Sequence, residues 1–120
     1  MDTSVWVDHF RRSDDRLVRA LNDAQVLTHP FVIGELACGN LQQRATVLGL
    51  LRDLPRCNPA SDDEALFFVD RQALMGQGIG YIDAHLLAAT RLNEGTQLWT
   101  RDKRLGALAD RLGLAPRHTR

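Results

Sequence analysis

The sequence predicts a single α/β domain, a three-layer α/β/α sandwich with a central, mostly parallel sheet. Short extended apolar segments alternate with helical patterns along the chain, an order typical of β-α-β units whose helices cover both faces of a sheet. The length of 120 residues is that of one domain. Because no internal repeat, linker or low-complexity stretch divides the sequence, we expect residues 1–120 to form one domain.

The first half of the chain begins with a predicted strand over residues 1–6. Ser13 or Asp14 is suited to cap the helix that follows, because short polar side chains accept hydrogen bonds from the first helical amides. Residues 25–28 then predict a second, brief strand. Pro30 favours the first turn of the next helix, where no backbone N–H is needed.

The middle of the chain predicts two helices separated by a proline-rich segment. Apolar residues recur at helical spacing over residues 43–54. Pro59 limits residues 56–60 to a short or edge strand, since proline cannot donate to a ladder. Ser61 and Glu64 match the capping-box pattern and predict the start of a helix that runs to about residue 75.

In the last third, glycines within residues 76–80 predict a flexible connection to a helix over residues 82–93. Residues 96–100 have the apolar character of a strand. Asp102 is placed to cap a final helix, whose apolar residues recur at i, i+3, i+4 and i+7. Residues 114–120 are predicted to be a last short strand or a tail.

The composition excludes some broad classes of protein. Apolar residues make up 44% of the chain and charged residues 25%, as in an ordinary globular domain. The formal net charge is zero, so the chain lacks the basic field expected of a general nucleic-acid coat protein. We expect no signal peptide and no membrane span, since no apolar run in the sequence is long enough to span a membrane. Two cysteines are too few for a disulfide framework. We expect a cytoplasmic protein with reduced thiols.

Four carboxylates stand at predicted strand ends or helix starts: Asp2, Glu35, Asp83 and Asp102. Ligands of parallel sheets bind at the carboxyl ends of the strands, so we expect these four acids to converge. Each has a structural alternative. Asp83 and Asp102 are also suited to cap helices, and Asp2 is also a terminal residue. Glu35 could be an exposed helix glutamate, but it is predicted to share the apolar face of its helix with Phe31 and Val32.

Converging carboxylates repel one another, and each then holds its proton more tightly. A hard divalent cation removes this repulsion, and carboxylates with water are the ligands that Mg²⁺ and Mn²⁺ prefer. Such a site suits metal-assisted hydrolysis of phosphodiesters. Ser4 and Thr100 are candidates to hold a carboxylate or a bound water in place, with ordinary strand hydroxyls as the alternative.

These residues resemble the PIN-domain family and, within it, the VapC-type toxins of bacterial toxin–antitoxin pairs. The matching fragments extend from residue 2 to residue 105, nearly the whole chain, and their order and spacing together are specific. The fragments are Asp2-Thr3-Ser4-Val5-Trp6, Gly34-Glu35-Leu36, Ile82-Asp83-Ala84-His85-Leu86-Leu87-Ala88-Ala89 and Leu98-Trp99-Thr100-Arg101-Asp102.

The resemblance implies a PIN-like sandwich in which Asp2, Glu35, Asp83 and Asp102 are the catalytic and metal-binding residues. It also implies a Mg²⁺- or Mn²⁺-dependent endoribonuclease that hydrolyses phosphodiester bonds of transfer or ribosomal RNA. Members are usually homodimers. A cognate VapB-type antitoxin silences such a toxin by placing its tail in the acidic groove.

Two positions depart from the family pattern. Relatives usually have two or three apolar residues before the first aspartate, whereas only Met1 precedes Asp2. Some relatives carry another acid two residues after the closing aspartate, and here that position is Arg104. We therefore expect one tightly held metal ion, with a second ion left open.

Basic side chains near the predicted site are candidates to bind RNA phosphates, although solvated surface residues are the alternative. They are Arg11, Arg12, Arg101, Lys103 and Arg104.

Two other functions fit the same architecture. A PIN-fold module that only binds would keep the fold without catalysis. A receiver-like signalling domain would also be an α/β sandwich with an acidic Mg²⁺ site, but it needs a lysine after a late strand. The one lysine, Lys103, lies beyond Asp102 inside a predicted helix, which disfavours the receiver.

Overall fold

The computed structural model describes residues 1–116, so the end of the predicted segment 114–120 lies outside the described residues. The chain divides into two compact units, Met1–Arg56 and Cys57–Arg120. Each unit is described by itself below.

The first unit contains four helices, three of them predicted from the sequence. Asp14 caps α2 by accepting hydrogen bonds from the amides of Arg16 and Leu17, and Pro30 occupies the first turn of α3. Helix α3 packs against both α1 and α4. The helices are α1 (Thr3–Arg11), α2 (Asp15–Asn22), α3 (Pro30–Cys38) and α4 (Arg44–Asp53).

The predicted strand over residues 1–6 is wrong, because the chain turns helical at Thr3. The side chains explain the outcome. Trp6 contacts the rings of His9 and Phe10, with centroids 6.4 Å and 6.1 Å away, and these residues are three and four positions further on. Such spacing places them on one helical face, and Val5 and Trp6 are buried. Asp2, immediately before the helix, retains extended backbone, with φ −73° and ψ 157°.

The predicted strands at residues 25–28 and 56–60 are reduced to one parallel bridge between Thr28 and Arg56. The Thr28 amide donates to the Pro55 carbonyl at 2.8 Å. Pro55 and Pro59 have no amide hydrogen to extend a ladder. Among the residues that the structure describes, therefore, this pair does not grow into a sheet.

The described part of the second unit contains three helices at the predicted places. Residues 84–90 of the middle helix are all buried, which makes it the centre of the unit's core. The first two helices begin at Asp62 and Tyr81, which contact each other, and further along them Phe68 contacts Arg91. The two helices therefore run in the same direction. The helices are α5 (Asp62–Gln72), α6 (Tyr81–Leu92) and α7 (Lys103–Arg111).

Residues 96–100, predicted to be a strand, form neither a strand nor a helix in the described part of the chain. Leu98 and Trp99 are buried, as an apolar strand would be. The Leu98 amide donates to the Leu114 carbonyl at 2.7 Å, but one hydrogen bond does not make a β-ladder. The predicted central sheet is thus not observed within residues 1–116. No helix within residues 1–116 is long and apolar enough to cross a membrane.

The capping box at the start of α5 gives a test of local stability. The Ser61 hydroxyl accepts from the Glu64 amide at 3.1 Å, and Glu64 Oε1 accepts from the Ser61 amide at 2.8 Å. Ser61→Ala leaves one of the first helical amides without its acceptor, and we expect the free energy of unfolding to fall by about 1 kcal/mol. Urea unfolding followed by circular dichroism measures this, with Ser61→Asp as the capping-competent control. Equal losses in both variants would contradict the capping role.

Candidate active site

Asp2 is a buried carboxylate at the start of α1, with 6% of its surface exposed. A buried carboxylate is unfavourable without compensating hydrogen bonds. Ser4 supplies one, because its hydroxyl donates to Asp2 Oδ2 at 2.9 Å. The predicted supporting role of Ser4 therefore corresponds to an observed contact, made within one helical turn.

Glu35 lies on the exposed side of α3, and the prediction that it shares a buried face is wrong. The inner face of α3 is formed by Val32, Ile33 and Leu36. Of the two residues on which the prediction relied, Val32 is buried there, while Phe31 is itself 37% exposed. Helical periodicity therefore turns Glu35 outward.

Thr3 holds Glu35 in place, a role that the sequence analysis missed. The Thr3 hydroxyl donates to Glu35 Oε1 at 2.7 Å across the packed pair of α1 and α3. Thr3 stands between two residues that sequence reasoning had singled out, Asp2 and Ser4. The position of Thr3 beside Asp2 could have indicated a role in the site. Its hydrogen-bond partner Glu35, however, lies 32 residues away in the sequence.

An open groove of about 720 Å³ lies beside Glu35 in the first unit. Thr3 and Glu35 contribute polar atoms to its wall, and Phe10 contributes an aromatic ring. Arg11, one of the predicted RNA contacts, lines the same groove, and Arg12 next to it is exposed. The groove thus combines an acidic side chain, a basic side chain and an apolar surface.

In the second unit, Asp83 and Asp102 both lie at helix starts, as predicted. Asp83 Oδ2 accepts from the Gly80 amide at 3.2 Å, and Asp102 Oδ1 accepts from the Leu105 amide at 3.0 Å. The helix-cap interpretation is therefore correct for both residues. Thr100 supports Asp102, since its hydroxyl accepts from the Asp102 amide at 3.0 Å.

The three predicted basic residues of the second unit are exposed and lie around Asp102 in the sequence. The Arg101 guanidinium lies over the Trp99 ring, 6.0 Å from its centroid. Arg104 packs on the glycine loop before α6, where a Cβ on Gly78 would come within 2.7 Å of Arg104 Nη1. Gly78 also has φ +79°, a left-handed conformation that favours glycine. Lys103 begins α7.

A second polar cluster, also missed by the sequence analysis, links the starts of α5 and α6. Asp62 Oδ1 accepts from the Tyr81 hydroxyl at 2.8 Å and lies 3.0 Å from His85 Nε2. The rings of Tyr81 and His85 meet edge to face, 4.6 Å apart. His85 is buried and lies two residues after Asp83, so this cluster fixes the helical turn that carries that acid.

Residues 1–111 match the PIN domain family. The chain belongs to the PIN-domain family. Over 115 residues it is 47% identical to Ribonuclease VapC32 of Mycobacterium tuberculosis, in strains CDC 1551 / Oshkosh and ATCC 25618 / H37Rv, covering 96% of this chain and 93% of that protein. The resemblance found in the sequence is thereby confirmed, and this PIN domain is of the VapC type. No solved structure gave a significant match.

The candidate acids of this PIN domain are divided equally between the two units. Asp2 and Glu35 belong to the first, and Asp83 and Asp102 belong to the second. Within neither unit do three or more His, Cys, Asp or Glu side chains of the described residues form a group able to hold a metal ion. Convergence of the four acids therefore remains a prediction.

The Asp62 cluster gives a prediction that depends on pH. The hydrogen bond from Tyr81, followed by that from His85, lowers the pKa of Asp62 from its ordinary value of 3.8. The ionised form is thus favoured in the fold, and the stability it contributes is present above pH 3.8 and is lost as the pH falls through the lowered pKa. In Tyr81→Phe we expect the pKa of Asp62 to rise toward 3.8, measured by carboxyl-carbon NMR titration. The phenylalanine ring keeps the contact with His85, and an unchanged pKa would contradict the assigned cause.

Proposed function

We propose that this chain is an endoribonuclease toxin that hydrolyses RNA phosphodiester bonds with a divalent cation. The observation that carries the proposal is that Asp2, Glu35, Asp83 and Asp102 occur together in a VapC-type PIN domain. Its relative at 47% identity is a ribonuclease by name. These four acids are the proposed catalytic and metal-binding residues.

The donor groups suit a hard cation. All four proposed ligands are carboxylates, which Mg²⁺ and Mn²⁺ prefer. Two of them already accept hydrogen bonds from hydroxyl groups, Asp2 from Ser4 and Glu35 from Thr3. Such outer partners orient ligand oxygens before binding. We take Mg²⁺ or Mn²⁺ as the cofactor, and one ion per chain because Arg104 stands where a further acid would be needed.

The residues of this chain then have separate tasks. Bound at the four acids, a divalent cation supplies activation of water and stabilisation of charge on the leaving oxygen. Ser4 and Thr3 fix the carboxylates of Asp2 and Glu35, and Thr100 fixes the backbone that presents Asp102. Arg11 and Arg101 lie on exposed surface of their units and are proposed to bind RNA phosphates, as are the other three predicted basic residues.

The finer features of the family are proposed on the same basis. We take the extended segments to belong to a PIN-like three-layer sandwich with a mostly parallel sheet, of which the Thr28–Arg56 bridge is one parallel contact. The proposed partners are transfer or ribosomal RNA, a cognate VapB-type antitoxin and a second copy of the chain. The proposed location is the cytoplasm.

Removing the charge of one acid at a helix start tests the catalytic assignment. Asparagine keeps a side-chain oxygen that can accept the capping hydrogen bond, so Asp83→Asn and Asp102→Asn isolate the loss of charge. We expect RNA cleavage in Mg²⁺ or Mn²⁺ to become undetectable in both, with unchanged circular dichroism spectra. Fluorescent RNA cleavage measures this.

Asp110→Asn is the matched control, since Asp110 is an exposed acid of α7 that lies outside the proposed site. It should cleave RNA at the wild-type rate. Cleavage by Asp83→Asn and Asp102→Asn at the rate of this control would show that the acids are structural and would favour a binding module.

The Thr3 contact gives an independent prediction. Thr3→Val removes the hydroxyl that holds Glu35 while keeping the shape of the side chain, and we expect Mn²⁺ affinity to fall by about tenfold. Isothermal titration calorimetry measures the affinity. Thr3→Ser retains the donor and should bind Mn²⁺ within about threefold of wild type. Equal affinity in Thr3→Val and Thr3→Ser would remove Thr3 from the site.

A further inference from the structure

We propose that the outer face of α5 and α6 is the surface through which two copies of this chain associate, with the two α5 helices antiparallel across a twofold axis near Phe67. This face, called the α5–α6 face below, is formed by Asp63, Glu64, Phe67, Arg71, Arg91 and Leu92. The inference rests on the homodimer included in the proposed function and names its interface.

Large apolar side chains are exposed on the α5–α6 face. Phe67 is 68% exposed and Leu92 is 53% exposed. Both line an open, mostly apolar groove of about 520 Å³ between the two helices. Large exposed apolar patches with polar rims mark interaction sites, and aromatic residues are enriched at the centres of such sites.

Charge is distributed along this face in a definite order. Asp63, Phe67 and Arg71 follow one another at intervals of four residues, so they lie along one side of α5. Because α5 and α6 run in the same direction, Arg91 of α6 lies at the same end as Arg71. Arg91 lies over the Phe68 ring, 5.8 Å from its guanidinium carbon, and also donates to the Leu112 carbonyl at 3.0 Å. One end of the face is therefore acidic, the centre apolar and the other end basic.

This order is self-complementary. A twofold rotation about an axis near Phe67 places the acidic end of one copy against the basic end of the other and stacks the two apolar centres. Each Asp63 then faces Arg71 of the second copy, and the contact occurs twice, as an isologous interface requires. A parallel arrangement would instead oppose like charges. The symmetry of the pattern about Phe67 therefore favours a second copy over an unrelated partner.

Charge reversal of the full chain tests this arrangement without reference to activity. Asp63→Arg alone and Arg71→Glu alone each give a homodimer with two like-charge contacts, so the dissociation constant of the dimer should rise by about tenfold or more. In an equimolar mixture of the two variants, every contact between the different chains pairs opposite charges. The mixture should therefore recover dimers with a dissociation constant within about threefold of wild type.

Analytical ultracentrifugation over a concentration series gives these constants, and circular dichroism verifies that each variant is folded. Asp110→Arg is the matched control and should dimerise like wild type. Phe67→Glu should dissociate the dimer and should not be rescued by either charge variant.

Two results would overturn the proposal. In the first, wild type is a dimer and both single variants dimerise with its constant, which places the interface elsewhere or leaves the α5–α6 face to another protein. In the second, wild type is a monomer at every concentration. Neither result bears on the ribonuclease assignment, which the cleavage assay tests separately.

Discussion

The start of an α-helix is the constraint on which the candidate site depends. The first amides of a helix have no intrahelical acceptors, and the helix dipole places partial positive charge beside them. Asp2, Asp83 and Asp102 all lie in such a position, at the starts of α1, α6 and α7. Asp83 and Asp102 are held in direction by hydrogen bonds from backbone amides, whereas Asp2 is held by the hydroxyl of Ser4. The packing that fixes each helix thus also fixes a candidate ligand.

The sequence presented the helix cap and the metal ligand as alternative roles for an aspartate. In this arrangement one aspartate can have both roles. Asp102 contributes Oδ1 to the Leu105 amide, and a carboxylate has a second oxygen with which to bind a cation. A capped aspartate therefore arrives at the site already ordered, and less conformational entropy is lost when it binds. Glu35 differs because it lies in the body of α3, where its direction comes from the Thr3 hydroxyl.

The sequence predicted what depends on local chemistry. Asp14, Pro30, Ser61 and Asp102 marked helix starts, and the spacing of acids and hydroxyls identified the family. It failed where the outcome depends on competition or distance. Residues 1–6 have strand character, but the Trp6 ring contacts His9 and Phe10, which are spaced as on one face of a helix. The bond of Asp62 to Tyr81 joins residues 19 apart and follows from the parallel packing of α5 and α6, which no local pattern specifies.

The central claim is that four carboxylates hold one divalent cation. Electron paramagnetic resonance of a Mn²⁺ titration tests it most directly, because free and bound ions give distinct signals. The account predicts one tight site per chain, weakened about tenfold or more in each of Asp2→Asn, Glu35→Gln, Asp83→Asn and Asp102→Asn, while Asp110→Asn binds like wild type. Wild-type Mn²⁺ binding in all four variants would contradict the account.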